Sequence, residues 1–478
     1  MKILFVASEA HPFIKTGGLG DVMGALPKSL AELGDDVRVI VPKYKNIKKE
    51  YLSDMRFVKS FCVNVGWRKQ HCGIFELKYG NVTYYFVDNE YYFKRDGLYG
   101  YIDDGERFAY FDRAVLETLR EIDWCPDVVN CNDWQCGMIP ALHKLEYIHH
   151  SDGFYSNIKT VFSIHNLLFQ GNFDPNILPE LFSYDLEQFN NGNMELYGAA
   201  SFMKAGLNYC DKITTVSKTY AEEIKTPWYG ENLDGVLRVR ENDLEGIVNG
   251  IDYDEYNPET DEYIACKYSI KSFSDKKLNK IDLQRELGLA IRSDVPIISI
   301  VSRLTNQKGI DLIVNIADRL LRQDIQFVIL GTGDYGYEEH FRGLKYKYSD
   351  KVSVNICFDN ALAHKIYAGS DMFLMPSAFE PCGLGQLIAL RYGTVPIVRE
   401  TGGLKDTIYP YNKYDITGNG FSFANYSAQE LINTIEEAIK TFQRKDEWST
   451  LIKSAMTSEN SWEKSAKVYK NLYERIAY

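Results

Sequence analysis

The sequence predicts an α/β protein of two doubly wound domains, each a parallel sheet covered by helices on both faces. The chain has 478 residues, which is too long for one hydrophobic core and suits two domains of similar size. Short apolar runs alternate with helical patterns in both halves of the chain. The pattern Thr-Gly-Gly-Leu-x-Asp also occurs in each half, at 16–21 and at 401–406, after an apolar run each time.

The strand candidates of the first half are nearly continuous apolar runs, which is typical of strands that are buried on both faces. They are "KILFVAS", "DVRVIVP", "TYYFVD", "PDVVNCND", "KTVFSIHN" and "DKITTVS". Between several of them apolar residues recur every three or four positions, as from Val22 to Leu33 and from Phe108 to Leu119. This spacing predicts amphipathic helices between the strands.

The same alternation begins again near Asp294 and is more regular there. Strand candidates and helical patterns follow each other in the order "VPIISIVSRL", "GIDLIVNIADRLL", "QFVILG", "VSVNICF", "ALAHKIYAGS", "DMFLMPS", "GLGQLIALRYG" and "TVPIVRE". The segment "IVNGIDYDEYNPETD" is rich in Asn, Gly, Asp and Pro, which predicts a crossing between the domains. We expect "SWEKSAKVYKNLYERI" to close the chain as a long amphipathic helix.

Charge and cysteine content exclude several classes of protein. The chain has 54 basic and 66 acidic residues, and its net charge of −12 argues against nucleic-acid and membrane partners. Its nine cysteines show no zinc spacing, so we expect reduced thiols, no metal and no cofactor. The apolar start "MKILFVASEA" is too short for a signal peptide, and no window approaches the roughly 18 apolar residues of a membrane helix. A cytoplasmic location is expected.

The two Thr-Gly-Gly-Leu copies lie at strand-to-helix turns. Glycines there let the backbone approach a ligand, and a helix N-terminus offers unpaired N–H groups to an anion. Only the first copy follows a lysine, Lys15, which favours a phosphate site with Gly17, Gly18 and Asp21. For the second copy, a tight turn and an anion site remain equally good interpretations. Two such domains would place a ligand between the carboxyl edges of their sheets.

Familiar nucleotide motifs do not account for the chain. Neither the dinucleotide fingerprint G-x-G-x-x-G nor the phosphate loop G-x-x-x-x-G-K-[ST] is present. "GTGD" at 331–334 is a weak signal, and "DYD" at 252–254 lies in the crossing segment, where chance explains an Asp-x-Asp pair. "SRLTNQKG" is more informative, because Arg303 and Lys308 flank a strand-to-helix turn and can clamp a diphosphate.

Three further motifs follow predicted strands. In "SAFEPCGLGQLIAL", Glu380 precedes a helix start and can hold sugar hydroxyls, while the N–H groups around Gly383 face phosphate. "SIHN" puts His165 at a strand end, and "NDWQ" does the same for Asp133 and Trp134. A single histidine at a strand end is more often structural than catalytic, so a catalytic role for His165 needs support from the other motifs.

Taken together, "KTGGLGDV", "NDWQ", "SIHN", "VNGID", "SRLTNQKG", "FEPCGLGQL" and "TGGL" resemble the family of bacterial glycogen synthases and the related starch synthases. The motifs stand in the family's order over essentially the whole chain. The resemblance implies a glycosyltransferase-B fold, in which two Rossmann-like domains face each other across a deep cleft. It also implies transfer of glucose from ADP-glucose to the non-reducing end of an α-1,4-glucan such as glycogen, with retention and without a metal.

The resemblance also implies the site residues and the domains. It assigns to the ADP-glucose site, or to the catalytic groups beside it, the residues Lys15, Gly17, Gly18, Asp21, Asp133, His165, Asn249, Arg303, Lys308, Phe358, Glu380, Gly383, Leu384 and Gly385. Phe358 would stack on adenine, and Gly385 stands where some relatives carry Thr. The implied acceptor-side domain is 1–248 together with the closing helix 462–478, and the implied nucleotide-sugar domain is 249–461.

The sequence leaves open the reaction mechanism and two alternative functions. Glu380 could attack the anomeric carbon, but a front-face route, in which the leaving phosphate oxygen helps to deprotonate the acceptor, fits the cations at 15, 303 and 308 better. A transferase of the same fold with another nucleotide sugar or acceptor, such as sucrose or a cell-wall precursor, is one alternative, and a non-catalytic glucan-binding protein is another. A plant-type starch synthase is disfavoured because we expect no transit peptide before "MKILFVASEA".

Overall fold

The computed structural model describes residues 1–477 of the chain. It divides into two compact units, which are Met1–Ile247 with the C-terminal segment from Trp462, and Val248–Ser461. The division falls one residue before the predicted boundary and lies inside the polar segment that the sequence predicts as the crossing.

The described part of the first unit contains twelve strands. Their bounds are β1 Lys2–Val6, β2 Asp36–Pro42, β3 Arg56–Val65, β4 Arg68–Tyr79, β5 Val82–Asp88, β6 Val128–Asn132, β7 Lys159–Ile164, β8 Asn172–Phe173, β9 Glu195–Leu196, β10 Ala199–Ser201, β11 Lys212–Thr215 and β12 Leu244–Gly246.

Nine α-helices connect these strands. Their bounds are α1 Gly18–Glu32, α2 Lys49–Asp54, α3 Glu90–Phe93, α4 Asp104–Glu121, α5 Met138–Leu145, α6 Glu187–Asn190, α7 Phe202–Tyr209, α8 Lys218–Glu223 and α9 Asp234–Val239. Short 3-10 turns lie at Trp134–Cys136, Tyr147–His149 and Glu241–Asp243, and a π turn lies at Leu178–Phe182.

The main sheet of the first unit has the strand order β12-β11-β7-β6-β1-β2-β5-β4-β3. It is parallel from β12 to β5, and these are the strands that the apolar runs predict, except for the short edge strand β12. The antiparallel β3–β4 hairpin was not predicted, because most β3 side chains are exposed and leave no continuous apolar run. A small antiparallel sheet, β8-β10-β9, was missed as well.

The second unit contains six strands and eight α-helices. The strands are β13 Ile297–Val301, β14 Gln326–Leu330, β15 Val352–Asn355, β16 Met372–Met375, β17 Val395–Arg399 and β18 Phe421–Phe423. The helices are α10 Lys276–Glu286, α11 Ile310–Leu321, α12 Tyr335–Lys347, α13 Asn360–Gly369, α14 Gly385–Arg391, α15 Gly402–Thr407, α16 Ala428–Gln443 and α17 Lys445–Thr457, with 3-10 turns at Ile270–Asp275 and Asn306–Lys308.

The sheet of the second unit is parallel throughout, in the order β15-β14-β13-β16-β17-β18. Its central strands are buried on both faces, which explains their uninterrupted apolar sequences. The strand order reverses between β13 and β16. In doubly wound sheets ligands bind beyond the carboxyl ends of the strands at such a reversal. In the first unit, β1 occupies the corresponding place between β2 and β6.

The last helix, α18 Trp462–Ala477, belongs to the first unit, although it follows the second unit in sequence. Its apolar face is buried in the core of the first unit, where the ring of Tyr473 lies beside that of Phe5. The buried hydroxyl of Tyr473 donates a hydrogen bond of 2.5 Å to Asn130 Oδ1 in β6. A polar contact inside the core therefore adds to apolar burial in fixing this helix.

We expect Tyr473→Phe to lower the stability of the first unit by about 1–3 kcal/mol, because it leaves the buried Asn130 Oδ1 without this donor while the ring stays in place. The measurement is the calorimetric melting temperature of the full chain. An unchanged melting temperature would mean that the hydrogen bond contributes nothing to stability.

Candidate functional site

The predicted site residues cluster in loops at the carboxyl ends of central strands. Within the first unit, the loop after β1 carries Lys15, the turn after β6 carries Asp133, and the turn after β7 carries His165. Within the second unit, the loop after β13 carries Arg303 and the loop after β16 carries Glu380. Strand order alone thus brings each set to the edge where doubly wound sheets bind ligands.

The loop after β1 leads directly into α1. The Lys15 ammonium forms an ion pair with Asp21 in the first turn of α1, and both side chains remain partly exposed. Gly17 is the N-cap and α1 begins at Gly18, so no side chain at the cap position competes for the first N–H groups. The arrangement presents one cation and a helix N-terminus together, as an anion site requires.

A buried carboxylate that the sequence analysis missed supports this loop. Glu9 accepts hydrogen bonds from the backbone N–H and from the hydroxyl of Thr16, the latter at 2.9 Å. Burial raises the pKa of Glu9, and the hydrogen bonds from Thr16 act in the opposite direction. Glu9 therefore fixes the backbone next to Lys15. Its position three residues after the end of β1 is the sequence feature that could have indicated this role.

Asp133 and His165 contact each other at the ends of β6 and β7. Asp133 Oδ1 accepts hydrogen bonds from the backbone N–H groups of His165, at 2.7 Å, and Asn166, at 3.4 Å. Burial raises the pKa of Asp133 to about 7 and lowers the pKa of His165 to about 4. The imidazole is therefore neutral at physiological pH. Asp133 itself has a φ of 57°, an uncommon backbone conformation that is frequent at functional sites.

In the second unit, the loop after β13 carries the two predicted cations. Arg303 is exposed, and its Nη2 donates to Gln307 Oε1 at 3.2 Å. Lys308 ends the 3-10 turn that leads into α11. Gly309 follows with a φ of 70°, and a Cβ atom there would lie 2.1 Å from the Pro376 carbonyl oxygen. Only glycine fits this close approach of the two loops.

Glu380 lies in the loop after β16, with only 5 % of its surface exposed. Its Oε2 atom accepts hydrogen bonds from Lys308 Nζ at 2.6 Å and from the hydroxyl of Ser377 at 3.0 Å. Both bonds go to one oxygen, so Oε1 is available for a ligand hydroxyl. The structure thus joins two predicted residues, Lys308 and Glu380, and adds Ser377, whose role depends on a contact that the sequence does not show.

The second Thr-Gly-Gly-Leu copy packs against the Glu380 loop. A Cβ atom on Gly402, whose φ is 45°, would lie 1.9 Å from the carbonyl oxygen of Glu380. A Cβ atom on Gly403 would lie 2.1 Å from the Cys382 carbonyl oxygen, and the Gly403 N–H donates to Glu380 O at 3.2 Å. These two glycines therefore have a packing role, which is to let the backbone at 380–382 lie against α15.

We expect Gly402→Ala to destabilise the second unit by about 3 kcal/mol, from a left-handed backbone plus steric overlap, and to reduce activity by moving Glu380. The matched control is Gly336→Ala in α12, where a Cβ atom meets nothing within 4 Å. The control should melt at the same temperature as the parent or slightly higher. Equal melting of both variants would contradict the packing role of Gly402.

The remaining predicted residues also lie in the second unit. Asn249 is buried, and its Oδ1 has no hydrogen-bond partner within residues 1–477, so this oxygen can accept a hydrogen bond from a ligand. Gly383 has a φ of 75°, Leu384 is the N-cap of α14 and Gly385 is its first residue, so the first N–H groups of α14 lack a side-chain cap. Phe358 follows β15 and is 91 % exposed, which leaves its ring faces accessible for stacking.

Some features are absent from the described part of the chain. No group of three or more His, Cys, Asp or Glu side chains within residues 1–477 is arranged to hold a metal ion. The same residues contain no helix with the length and apolarity needed to cross a membrane. All nine cysteines are free thiols.

These groups suit the binding of a phosphorylated sugar. Within the second unit, a buried carboxylate beside an ammonium can orient hydroxyls, while Lys308 and the α14 N-terminus can stabilise phosphate charge. Within the first unit, a neutral histidine and an ion-paired lysine lie at the same sheet edge. These groups match the demands of glycosyl transfer from an activated sugar.

Comparisons with known proteins agree with this chemistry. The family described as starch synthase catalytic domain matches residues 2–239, and the family described as glycosyl transferases group 1 matches residues 287–454. A glycogen synthase of Clostridium perfringens is 66 % identical over 476 residues, which cover 100 % of this chain and 98 % of that protein. A glycogen synthase of Alkaliphilus metalliredigens is 52 % identical, with 100 % of both chains covered.

Solved structures give the same answer for the fold. The catalytic domain of starch synthase IV from Arabidopsis thaliana, bound to ADP and acarbose, matches with a TM-score of 0.92 and 32 % identity, over 100 % of this chain and 99 % of that one. A sucrose-phosphate synthase from Thermosynechococcus elongatus shares the fold alone, with a TM-score of 0.62, 17 % identity and coverage of 99 % and 98 %. The predicted two-domain glycosyltransferase-B fold is confirmed, and the chain belongs to the glycogen synthase family of glycosyltransferases.

Proposed function

We propose that the protein transfers glucose from ADP-glucose to the non-reducing end of an α-1,4-glucan such as glycogen, with retention of configuration and release of ADP. The observation that carries the proposal is the ion pair of the half-buried Lys308 with the buried Glu380, which leaves Glu380 Oε1 beside an ammonium and able to accept from a ligand hydroxyl. The relative from Arabidopsis thaliana, which is described as bound to ADP and acarbose, supports ADP as the nucleotide.

Each unit is assigned its own part of the reaction. In the predicted nucleotide-sugar domain, 249–461, Glu380 and Asn249 hold the glucosyl unit. Arg303 and Lys308 hold the diphosphate together with N–H groups of 383–385, and Phe358 stacks on adenine. In the predicted acceptor-side domain, 1–248 with 462–478, Lys15 binds phosphate with the loop 17–21, and His165 with Asp133 lies at the sugar. We assign the glucan to this domain. Nine free thiols fit a cytoplasmic location.

The chemical step proposed is a front-face displacement. The bond from the anomeric carbon to the phosphate oxygen breaks, and the bond to the acceptor oxygen forms on the same face. The acceptor proton moves to the leaving phosphate oxygen, so no protein nucleophile is required. Lys308, Arg303 and Lys15 stabilise the charge that grows on ADP, each by about 2–4 kcal/mol.

A donor panel tests the proposal. We expect kcat/KM with glycogen to be about tenfold or more higher for ADP-glucose than for UDP-glucose, because the exposed Phe358 ring stacks better on a purine. The measurement is nucleotide release with each donor. Transfer to sucrose in place of glycogen serves as the control for another acceptor. Equal donor rates, or a preference for UDP-glucose, would refute the donor assignment.

A further inference from the structure

The imidazole of His165 makes one hydrogen bond that determines which ring nitrogen carries the proton. His165 Nε2 lies 2.9 Å from Asn132 Oδ1, and Asn132 is the last residue of β6. Since a neutral imidazole can donate through one nitrogen and accept through the other, the orientation of the Asn132 amide decides between the two tautomers.

The orientation of that amide is fixed by the backbone around it. Asn132 Nδ2 donates to the carbonyl oxygens of Val6, at 2.9 Å, and Asn130, at 3.1 Å. Carbonyl oxygens only accept hydrogen bonds, so a flipped amide would place its own oxygen, which is also an acceptor, against both of them. Asn132 is 1 % exposed, so bulk solvent does not reach these two hydrogen bonds. Its Oδ1 must therefore face His165.

We propose that Asn132 is a positioning residue, which holds His165 as the Nε2–H tautomer and leaves Nδ1 as a hydrogen-bond acceptor for a hydroxyl of the donor sugar. The part that concerns the sugar rests on the proposed function, while the tautomer itself does not. Burial lowers the pKa of His165 to about 4, which keeps the ring neutral and its Nδ1 lone pair free at physiological pH. Within residues 1–477, no described group donates to Nδ1.

Nitrogen-15 NMR of the histidine-labelled full chain tests the tautomer without any donor. The chain has eight histidines, and the His165 signals are those missing from the spectrum of His165→Gln. We expect a protonated, pyrrole-type Nε2 and an unprotonated, pyridine-type Nδ1 in the unmodified protein. A protonated Nδ1 there would overturn the proposal, and this measurement needs no variant at Asn132.

Variants at Asn132 test the cause. Asn132→Leu, of similar size, should produce exchanging tautomers, because it removes the oxygen that faces Nε2. Tyr473→Phe is the matched control, since it removes a hydrogen bond to the Asn130 side chain without touching Asn132 or His165. It should melt earlier but keep the tautomer. An Nε2–H pattern that persists in Asn132→Leu would overturn the role of Asn132.

Kinetics test the contact with the sugar. One lost hydrogen bond is commonly worth up to about tenfold, and we expect a loss of about tenfold in kcat/KM for ADP-glucose in Asn132→Leu, with a raised donor KM. If the role of Asn132 is only structural, Asn132→Leu should lower the fraction of active protein and leave the donor KM unchanged. Monodeoxy analogues of the donor identify the hydroxyl: one of them should lose kcat/KM with the unmodified protein but not with Asn132→Leu. If no analogue does so, Nδ1 does not accept from the sugar.

Discussion

Replacing Lys308 by methionine should lower kcat about 100- to 1,000-fold while leaving the fold intact. The ammonium lies 2.6 Å from Glu380 Oε2 at the start of α11, and it is the most enclosed cation assigned to the diphosphate. Removing one preorganised group that stabilises developing charge typically costs about that much. The measurement is the rate of ADP release at saturating donor and glycogen.

The matched control for Lys308→Met is Lys365→Met. Lys365 forms an ion pair of similar length, 2.7 Å, with Glu286, but it lies on α13 outside the site. Such a partly exposed pair contributes little to stability, so Lys365→Met should be active and melt normally. If Lys308→Met loses melting temperature in proportion to activity, its ion pair with Glu380 is structural and the phosphate assignment is wrong.

The strands that carry the site could be predicted because a parallel sheet buried on both faces requires continuous apolar sequence. For that reason "KILFVAS", "VPIISIVSRL" and "DMFLMPS" correspond to β1, β13 and β16. The β3–β4 hairpin lies at the edge of its sheet, with one side exposed, so fewer of its residues have to be apolar. Prediction failed there because exposed edge strands have no strict hydrophobic pattern.

The side chains of the site divide in a similar way. Lys15, Arg303 and Glu380 could be proposed from the sequence because they follow predicted strands at positions where their charge has an evident use. Glu9 and Ser377 were missed, because a supporting residue is defined by its hydrogen bonds in the folded chain. For the second Thr-Gly-Gly-Leu copy, the sequence supports a tight turn and an anion site equally well. The structure shows that Gly402 packs so closely against the carbonyl oxygen of Glu380 that a larger side chain does not fit there.

Changes at Glu380 should separate the two possible routes of a retaining transfer. Glu380→Gln keeps the shape and an oxygen that can accept from Ser377, but it loses the charge that faces Lys308. Under the front-face route we expect Glu380→Gln to turn over about 10–100-fold more slowly than the parent, and Glu380→Ala to be slower still by about tenfold. The measurement is single-turnover transfer to glycogen.

Double displacement predicts a different order. If Glu380 forms a bond to the anomeric carbon, Glu380→Gln should be nearly as inactive as Glu380→Ala, because an amide is a poor nucleophile. Azide should then restore turnover to Glu380→Ala by occupying the vacated space. Under the front-face route azide should have no effect, because no open nucleophile position has to be filled.

Intact-protein mass spectrometry of the unmodified chain gives the most direct test of Glu380. With ADP-glucose and no glucan, a covalent route would accumulate a glucosyl-enzyme, whereas the front-face route leaves the protein mass unchanged because nothing but the acceptor receives the sugar. Because Oε2 of Glu380 is bonded to Lys308 and Ser377, Oε1 is the carboxylate oxygen whose role this measurement decides. A stable increase by one glucosyl residue, mapped to Glu380, would overturn the front-face route but not the assignment of the donor.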